Sequence, residues 1–312
     1  VGLAIPEFLQ GFLVSSATAL ALVPLMTAYF GLTFEEAVVV AAIHSILISS
    51  AVLLFGEPFA AGWITPALPL VLNVVLTEAY PDATSKFHAM MAMTFMFSIM
   101  LFVLGFTGLG KVLVEKIPAA LKGAIIMGAA IAALKRVFID DAPNNLDKMP
   151  VSMWTAMGVC LLLSFAIPVA SLKMRNKLVA RIASLGLLPG FVLAALVGIV
   201  IGELQYTVDG KSIIEWGILA PPIGATMEKV SPFFIGLPPA SMFLDLSLWG
   251  VAFVAYIILF GDIITGMEVL NTATPRRPDE RIEFSSFRTH ISCGIRNVLM
   301  GTFAPMFPTQ GA

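Results

Sequence analysis

Gly56-Glu57-Pro58-Phe59-Ala60-Ala61-Gly62-Trp63-Ile64-Thr65-Pro66 is the stretch on which the fold turns. It is mostly apolar, yet Pro58, Gly62 and Pro66 interrupt any regular helix through it. Pro66 has no N–H and suits the first turn of a helix, and it restricts Thr65 before it to an extended conformation. Gly62 permits unusual dihedrals or a close backbone approach. An extended stretch followed by a half-helix is the reading that joins these features. Such a half-helix aims free N–H groups and a positive dipole end into the interior. The plainer alternative is an ordinary helix kinked at proline.

What that interior is made of follows from composition. The chain has 312 residues, 58% hydrophobic and 12% charged, with a mean hydropathy of +0.94. Soluble domains are about 45–50% apolar and about 25% charged. A water-soluble fold so poor in charge would expose large apolar patches, and a lipid solvent removes that difficulty. The formal charge of -2 gives no reason to expect a nucleic-acid partner. Cys160 and Cys293 fall in apolar or small-residue stretches outside any CxxC pattern and read as buried small hydrophobes.

Nine apolar spans are expected, over roughly 8–30, 36–55, 61–77, 88–107, 118–134, 150–170, 184–203, 247–270 and 287–303, with a tenth element opening at Ala304. With the N-terminus in the cytoplasm, eleven of the 18 Lys and Arg residues fall in cytoplasmic connections and six in the opposite ones, so the positive-inside rule favours that orientation. Residues 204–246, with Pro221, Pro222, Pro232, Pro238 and Pro239 beside apolar residues, read as an outward loop with an interfacial or re-entrant stretch. Trp216, Phe233 and Phe234 argue there for contact with protein or headgroups. On the fifth span Ala120, Ala124, Gly128 and Ala132 form a strip of small side chains that invites close helix packing. The chain starts at Val1 with no signal peptide and ends without a polar tail, which reads as a fragment.

Asp262 lies in Phe260-Gly261-Asp262-Ile263-Ile264-Thr265-Gly266-Met267-Glu268, inside the eighth span. A carboxylate there costs about 2.5–3.5 kcal/mol on insertion scales, so it serves a purpose or pairs. Glu268 is six residues on and off Asp262's face; a second proton-coupling group and an interfacial partner for Arg276 or Arg277 are its two readings. His44, in mid-span, suits a helix–helix hydrogen bond better than a proton relay. Arg296 and Asn297 lie within the ninth span, where Arg296 should face protein, either pairing with a carboxylate or binding an anion directly.

Several stretches, in order along the chain, resemble one superfamily. Leu104-Gly105-Phe106-Thr107-Gly108-Leu109-Gly110 leading into Ile117-Pro118-Ala119-Ala120-Leu121-Lys122-Gly123-Ala124 resembles the fourth-to-fifth helix junction of the SulP anion transporters and the related uracil/xanthine permeases. Ala17-Thr18-Ala19-Leu20-Ala21-Leu22-Val23-Pro24 is similar to the first helix of the nucleobase permeases. Leu188-Pro189-Gly190-Phe191-Val192-Leu193-Ala194-Ala195-Leu196-Val197-Gly198 is similar to the seventh SulP helix, and Gly236-Leu237-Pro238-Pro239 to the turn before the eighth. The resemblance implies an all-α polytopic membrane protein of two inverted repeats of seven helices, divided into core and gate. The first repeat would be 1–203, the outward loop 204–246, and 247–312 the truncated start of the second repeat.

The resemblance also implies half-helices at the third and tenth positions, with substrate between their N-termini. Carried onto this chain, the substrate-binding residues are Ser16, Thr18, Ile64, Thr65, Asp262, Thr309 and Gln310, with Asp262 and Glu268 as proton-coupling candidates. Gln310 departs from the family's usual Pro-x-Thr-Thr turn. The function implied is secondary transport of an inorganic or carboxylate anion or a nucleobase, ion-coupled, in the inner (plasma) membrane, without a cofactor. A homodimer is the assembly left open. No GxxxxGK[ST], HExxH or GxSxG occurs, which counts against an ATP-driven pump or an intramembrane hydrolase. A channel-like anion pathway is the alternative.

Overall fold

The computed structural model describes residues 22–55, 64, 67–116, 118–135, 138–139, 142–143, 146–166, 175–184, 188–204, 207–208, 211–212, 220–273 and 284–307. Ser16, Thr18, Thr65, Thr309 and Gln310 lie outside the described residues, as do Gly62 and Trp216, and so does the Glu268 side chain. The described residues are overwhelmingly α-helical. Its helices are α1 (Val23–Tyr29), α2 (Phe34–Phe55), α3 (Leu68–Val75), α4 (Ala83–Phe106), α5 (Leu109–Lys116), α6 (Ala119–Lys135), α7 (Pro150–Phe165), α8 (Lys177–Ser184) and α9 (Leu188–Ile201). They are followed by α10 (Ile223–Val230), α11 (Pro232–Ile235), a 3-10 turn (Ala240–Leu244), α12 (Leu246–Ala273) and α13 (Ser286–Phe303). A two-residue antiparallel pairing joins Thr207 to Ser212 and Val208 to Lys211.

Among the described residues two helices are long and apolar enough to cross a membrane, Ala83–Phe106 and Leu246–Ile264, while Pro150–Leu163 and Pro189–Ile201 are shorter apolar helices. Other expected spans are shorter in their described parts, as in α3, or more polar, as in α13.

Local chemistry sets the boundaries. Gly31, at φ 67°, takes the left-handed turn after α1 that other residues resist. Thr33 and Glu36 then form a capping box for α2: the Thr33 N–H donates to Glu36 Oε2 at 2.8 Å and the Glu36 N–H to Thr33 Oγ1 at 3.3 Å. Asp82 and Ser85 do the same for α4, which therefore starts at Ala83, five residues ahead of the expected span.

Contacts divide the chain into two compact units, Ser15–Ile131 with Pro221–Ala312, and Val1–Val14 with Ala132–Ala220. In the larger unit α4 packs chiefly on α13 and α12. The α4–α13 contact is antiparallel and very close: a Cβ on Gly301 would stand 2.7 Å from Phe95, and one on Gly294 2.6 Å from Phe102. Reciprocally, Gly105 faces His290 and Ile291, and Gly110 faces His290. Residues 221–246 belong to this unit and fold against it, with Thr226, Val230 and Ser231 buried. Lys229 on α10 pairs with the buried Glu36 of α2 at 2.7 Å, and His88 Nε2 on α4 meets the carbonyls of Ile235 (3.1 Å) and Gly236 (3.2 Å). The starts of α2, α4 and α12 thus gather at one end of the unit with the end of α13.

In the smaller unit α7 and α9 pack antiparallel, with Gly198 against Ser152 and Gly190 against Cys160. α9 stops at Ile201, short of its expected 203, because Gly202 turns left-handed at φ 80°. Glu203, just beyond, accepts hydrogen bonds from Val151 N (2.9 Å), Ser152 N (2.8 Å) and Ser152 Oγ (2.7 Å), capping the start of α7. Burial raises its pKa, but these bonds outweigh it and hold the carboxyl below its ordinary value.

The small-residue strip of the fifth span behaves otherwise than expected. Ala120, Ala124 and Gly128 on α6 are exposed, and a Cβ on Gly128 meets nothing within 4 Å, so no described helix packs into the strip. The close approaches fall on α13 and α9 instead.

Candidate functional site

Among the described residues of the third span the α-helix is α3, eight residues and about 12 Å of rise, well short of a hydrocarbon core about 30 Å thick. α3 begins at Leu68 with Pro69 in its first turn, and Pro66, where the sequence suggests a first turn, lies outside the described residues. Ala67 precedes it without a side-chain cap, so the first-turn N–H groups of α3 gain no side-chain acceptor there. Ile64 and Ala67 are fully buried. The Ala67 N–H closes a turn onto the Ile64 carbonyl at 3.0 Å, while Gly62, Thr65 and Pro66 lie outside the described residues.

A second interruption follows α13. Ala304, Pro305, Met306 and Phe307 are non-helical and buried. The Ala304 carbonyl accepts from His44 Nε2 on α2 and from the Met306 N–H, and the Phe307 ring meets Phe97 edge-on at 5.5 Å. His44 therefore makes the interhelical hydrogen bond expected of it, to a backbone carbonyl where a helix breaks. Ile64, Ala67, Ala304, Met306 and Phe307 belong to one contiguous core with Phe260, Ile263 and Ile264 of α12.

Between these breaks α13 carries a buried polar face: Ser286, Thr289, His290, Ser292, Arg296 and Asn297 are all 9% exposed or less. Arg296 faces protein as expected; Nε donates to the Ser292 carbonyl at 3.3 Å and Nη2 to Cys293 Sγ at 3.2 Å. Asn297 Nδ2 donates to the Cys293 carbonyl at 2.9 Å. His290 Nδ1 lies 2.7 Å from the Ser286 carbonyl, which can only accept, so the proton is assigned to Nδ1. Nε2 is then free to accept from the Tyr256 hydroxyl at 3.1 Å. Sequence reasoning isolated Arg296 and Asn297 and missed Tyr256, Ser286 and His290. The 3–4 residue recurrence of polar side chains from Ser286 to Asn297 was the available signal.

The Tyr256–His290 bond also sets the register of α12 against the antiparallel α13. At about 1.5 Å per residue, Ala304 stands about 21 Å from His290 in one direction, and Asp262 about 9 Å from Tyr256 in the other. Asp262, partly buried between Gly261 and Ile263, is therefore not brought beside the second interruption. α3 contacts α12, and Ile64 belongs to the core that Phe260 and Ile263 share.

A scan against protein-family models and a search of curated proteins both find no match to this chain.

Proposed function

We propose that the protein is a polytopic inner-membrane carrier with a cytoplasmic N-terminus. On this reading it has the inverted-repeat architecture of the SulP and uracil/xanthine permease superfamily and moves a small anion or a nucleobase with ion or proton coupling. The observation that carries the reading is the burial, in one apolar core, of the non-helical backbone of Ala304–Phe307 together with Ile64 and Ala67 at the entry to the short α3. Inside a membrane such backbone is tolerated only where protein or a water-filled cavity satisfies it, and carriers use it to aim backbone dipoles at a solute.

Two further features support the reading. The larger unit joins the first four spans and most of the fifth to the eighth and ninth and leaves the sixth and seventh to the smaller one, a division close to that of a core and a gate. The gathering of the starts of α2, α4 and α12 with the end of α13 follows the alternation of spans that the basic residues require. Asp262 is the proton-coupling candidate, acting at the third-span interruption. Ser16, Thr18, Thr65, Thr309, Gln310 and Glu268 remain candidates on the resemblance alone.

Counterflow tests the reading. The full-length protein in proteoliposomes preloaded with nucleobases or with small anions should accumulate labelled external solute of one class by exchange. Conduction without exchange would establish the channel alternative, and neither activity for any solute of either class would refute transport of these substrates.

A further inference from the structure

We infer that residues 233–246 form an anchor seated in the lipid headgroup and upper acyl zone at the outer end of the larger unit, an inference that rests on the membrane reading above. Phe233, Phe234, Leu237, Leu244 and Leu246 are 74%, 61%, 71%, 82% and 84% exposed. Five large apolar side chains so exposed within fourteen residues call for an apolar neighbour.

They are not on slack chain. Ser231 Oγ accepts from the Phe233 N–H, the carbonyls of Ile235 and Gly236 meet His88 Nε2, Pro238 is buried, and Trp249 Nε1 donates to the Phe243 carbonyl at 2.8 Å. The backbone is therefore fastened to α4 and α12 while the apolar side chains point away from the protein.

Continuity of surface identifies the occupant. Leu246 opens α12, one of the two helices long and apolar enough to span, and Phe253 on the same helix is 55% exposed, so the patch lies at the end of the face that would meet acyl chains. On its other flank Phe233 packs on Phe303 at the end of α13. Lys229 and Glu228 are exposed on the neighbouring α10, and Asp245 accepts from Ser247 at 2.6 Å. A polar rim beside an aromatic and leucine patch at the end of a span is the pattern of the membrane–water interface.

Spin labels test the inference on the full-length protein in phosphatidylcholine nanodiscs, in a Cys160→Ser, Cys293→Ser background. Phe234→Cys, Leu237→Cys and Leu244→Cys carry the test labels, Phe253→Cys marks the span and Glu228→Cys marks water. Labels at 234, 237 and 244 should be more accessible to oxygen than to a nickel chelate, at about 5–10 Å below the phosphates, with 253 deeper and 228 chelate-accessible. Chelate access at 234, 237 and 244 with 253 still in lipid would overturn the anchor and leave the membrane reading standing. Chelate access at 253 as well would overturn the membrane reading itself. Labels at 234, 237 and 244 shielded from both reagents would mean that protein, such as a second copy of this chain, covers the patch, and would overturn the lipid assignment.

Discussion

Replacing Gly294 by alanine adds one methyl group where the α4–α13 contact has no room. The new Cβ would stand 2.6, 2.9 and 3.0 Å from three ring atoms of Phe102, against an ordinary contact of about 3.5–4.0 Å. The ring must retreat by about 1 Å, but it is stacked on Phe106 at 6.2 Å, and Phe106 meets Phe287 edge-on at 6.0 Å, so the displacement passes down a row of aromatics. Overpacking of this kind costs about 1–3 kcal/mol. Alanine's helix propensity returns about 1 kcal/mol of it. The net loss is then about 0–2 kcal/mol, or a Tm lower by up to about 8 °C for a unit of some two hundred residues. Gly250→Ala on α12, where a Cβ meets nothing within 4 Å, is the matched control and should leave Tm unchanged or raise it. Adding Phe102→Leu to Gly294→Ala should cost less than the two single changes together, because the leucine frees the space the methyl needs. Thermal unfolding of the full-length protein in detergent measures all four variants. A Gly294→Ala protein as stable as Gly250→Ala, or strict additivity with Phe102→Leu, would refute the close α4–α13 packing.

Three other perturbations probe separate features. Asp262→Asn should abolish pH-dependent solute uptake while leaving Tm within about 2 °C, since the replacement is isosteric; unchanged uptake at every pH would remove Asp262 from the mechanism. His44→Ala should destabilise by about 1–3 kcal/mol through the lost bond to the buried Ala304 carbonyl, and His44→Gln, which keeps a donor, should recover part of both stability and uptake. Glu203→Gln should lower Tm at pH 7 by weakening the cap on α7. The Glu203 carboxyl is held below its ordinary value near 4.5, so its contribution is present above that pH and fades as the pH falls. The gap between wild type and Glu203→Gln should therefore narrow as the pH falls below 4.5, and a pH-independent gap would contradict the assigned cap.

What was legible in the sequence was the set of properties each segment holds alone. The apolar lengths expected over 36–55, 118–134, 247–270 and 287–303 reappear as Phe34–Phe55, Ala119–Lys135, Leu246–Ala273 and Ser286–Phe303, because apolar run length needs no partner. Capping signals were equally local. Asp82-x-x-Ser85 explains the earlier start of α4, and Thr33-x-x-Glu36 the start of α2. The break expected at Gly62 and Pro66 falls outside the described residues, and the proline in the first turn of α3 is Pro69.

What was not legible depends on partners distant in the chain. Nothing in residues 221–246 says that Lys229 meets Glu36, or that Glu203 closes onto Val151 and Ser152. The small-residue strip of α6 and the glycines of α13 look alike as composition. Only Phe95 and Phe102, presented by α4 at the matching seven-residue spacing, distinguish the helix that is closely packed. The distance between Asp262 and the second interruption likewise follows from one bond, Tyr256 to His290, that fixes how two helices slide past each other.

The fit of Phe95 and Phe102 to Gly301 and Gly294 has a consequence for how the protein is made. In a bilayer, α13 would arrive with His290, Arg296 and Asn297, and an arginine alone at the centre of a span opposes entry by about 2.5–3.5 kcal/mol. α4 has no such burden within Ala89–Phe106 and would enter unaided. Synthesised nearly two hundred residues earlier, it would already be waiting in the membrane with two aromatic knobs at the right pitch. The ninth span would then leave the ribosome onto a prepared receptor, and the order of the chain would double as the order of assembly.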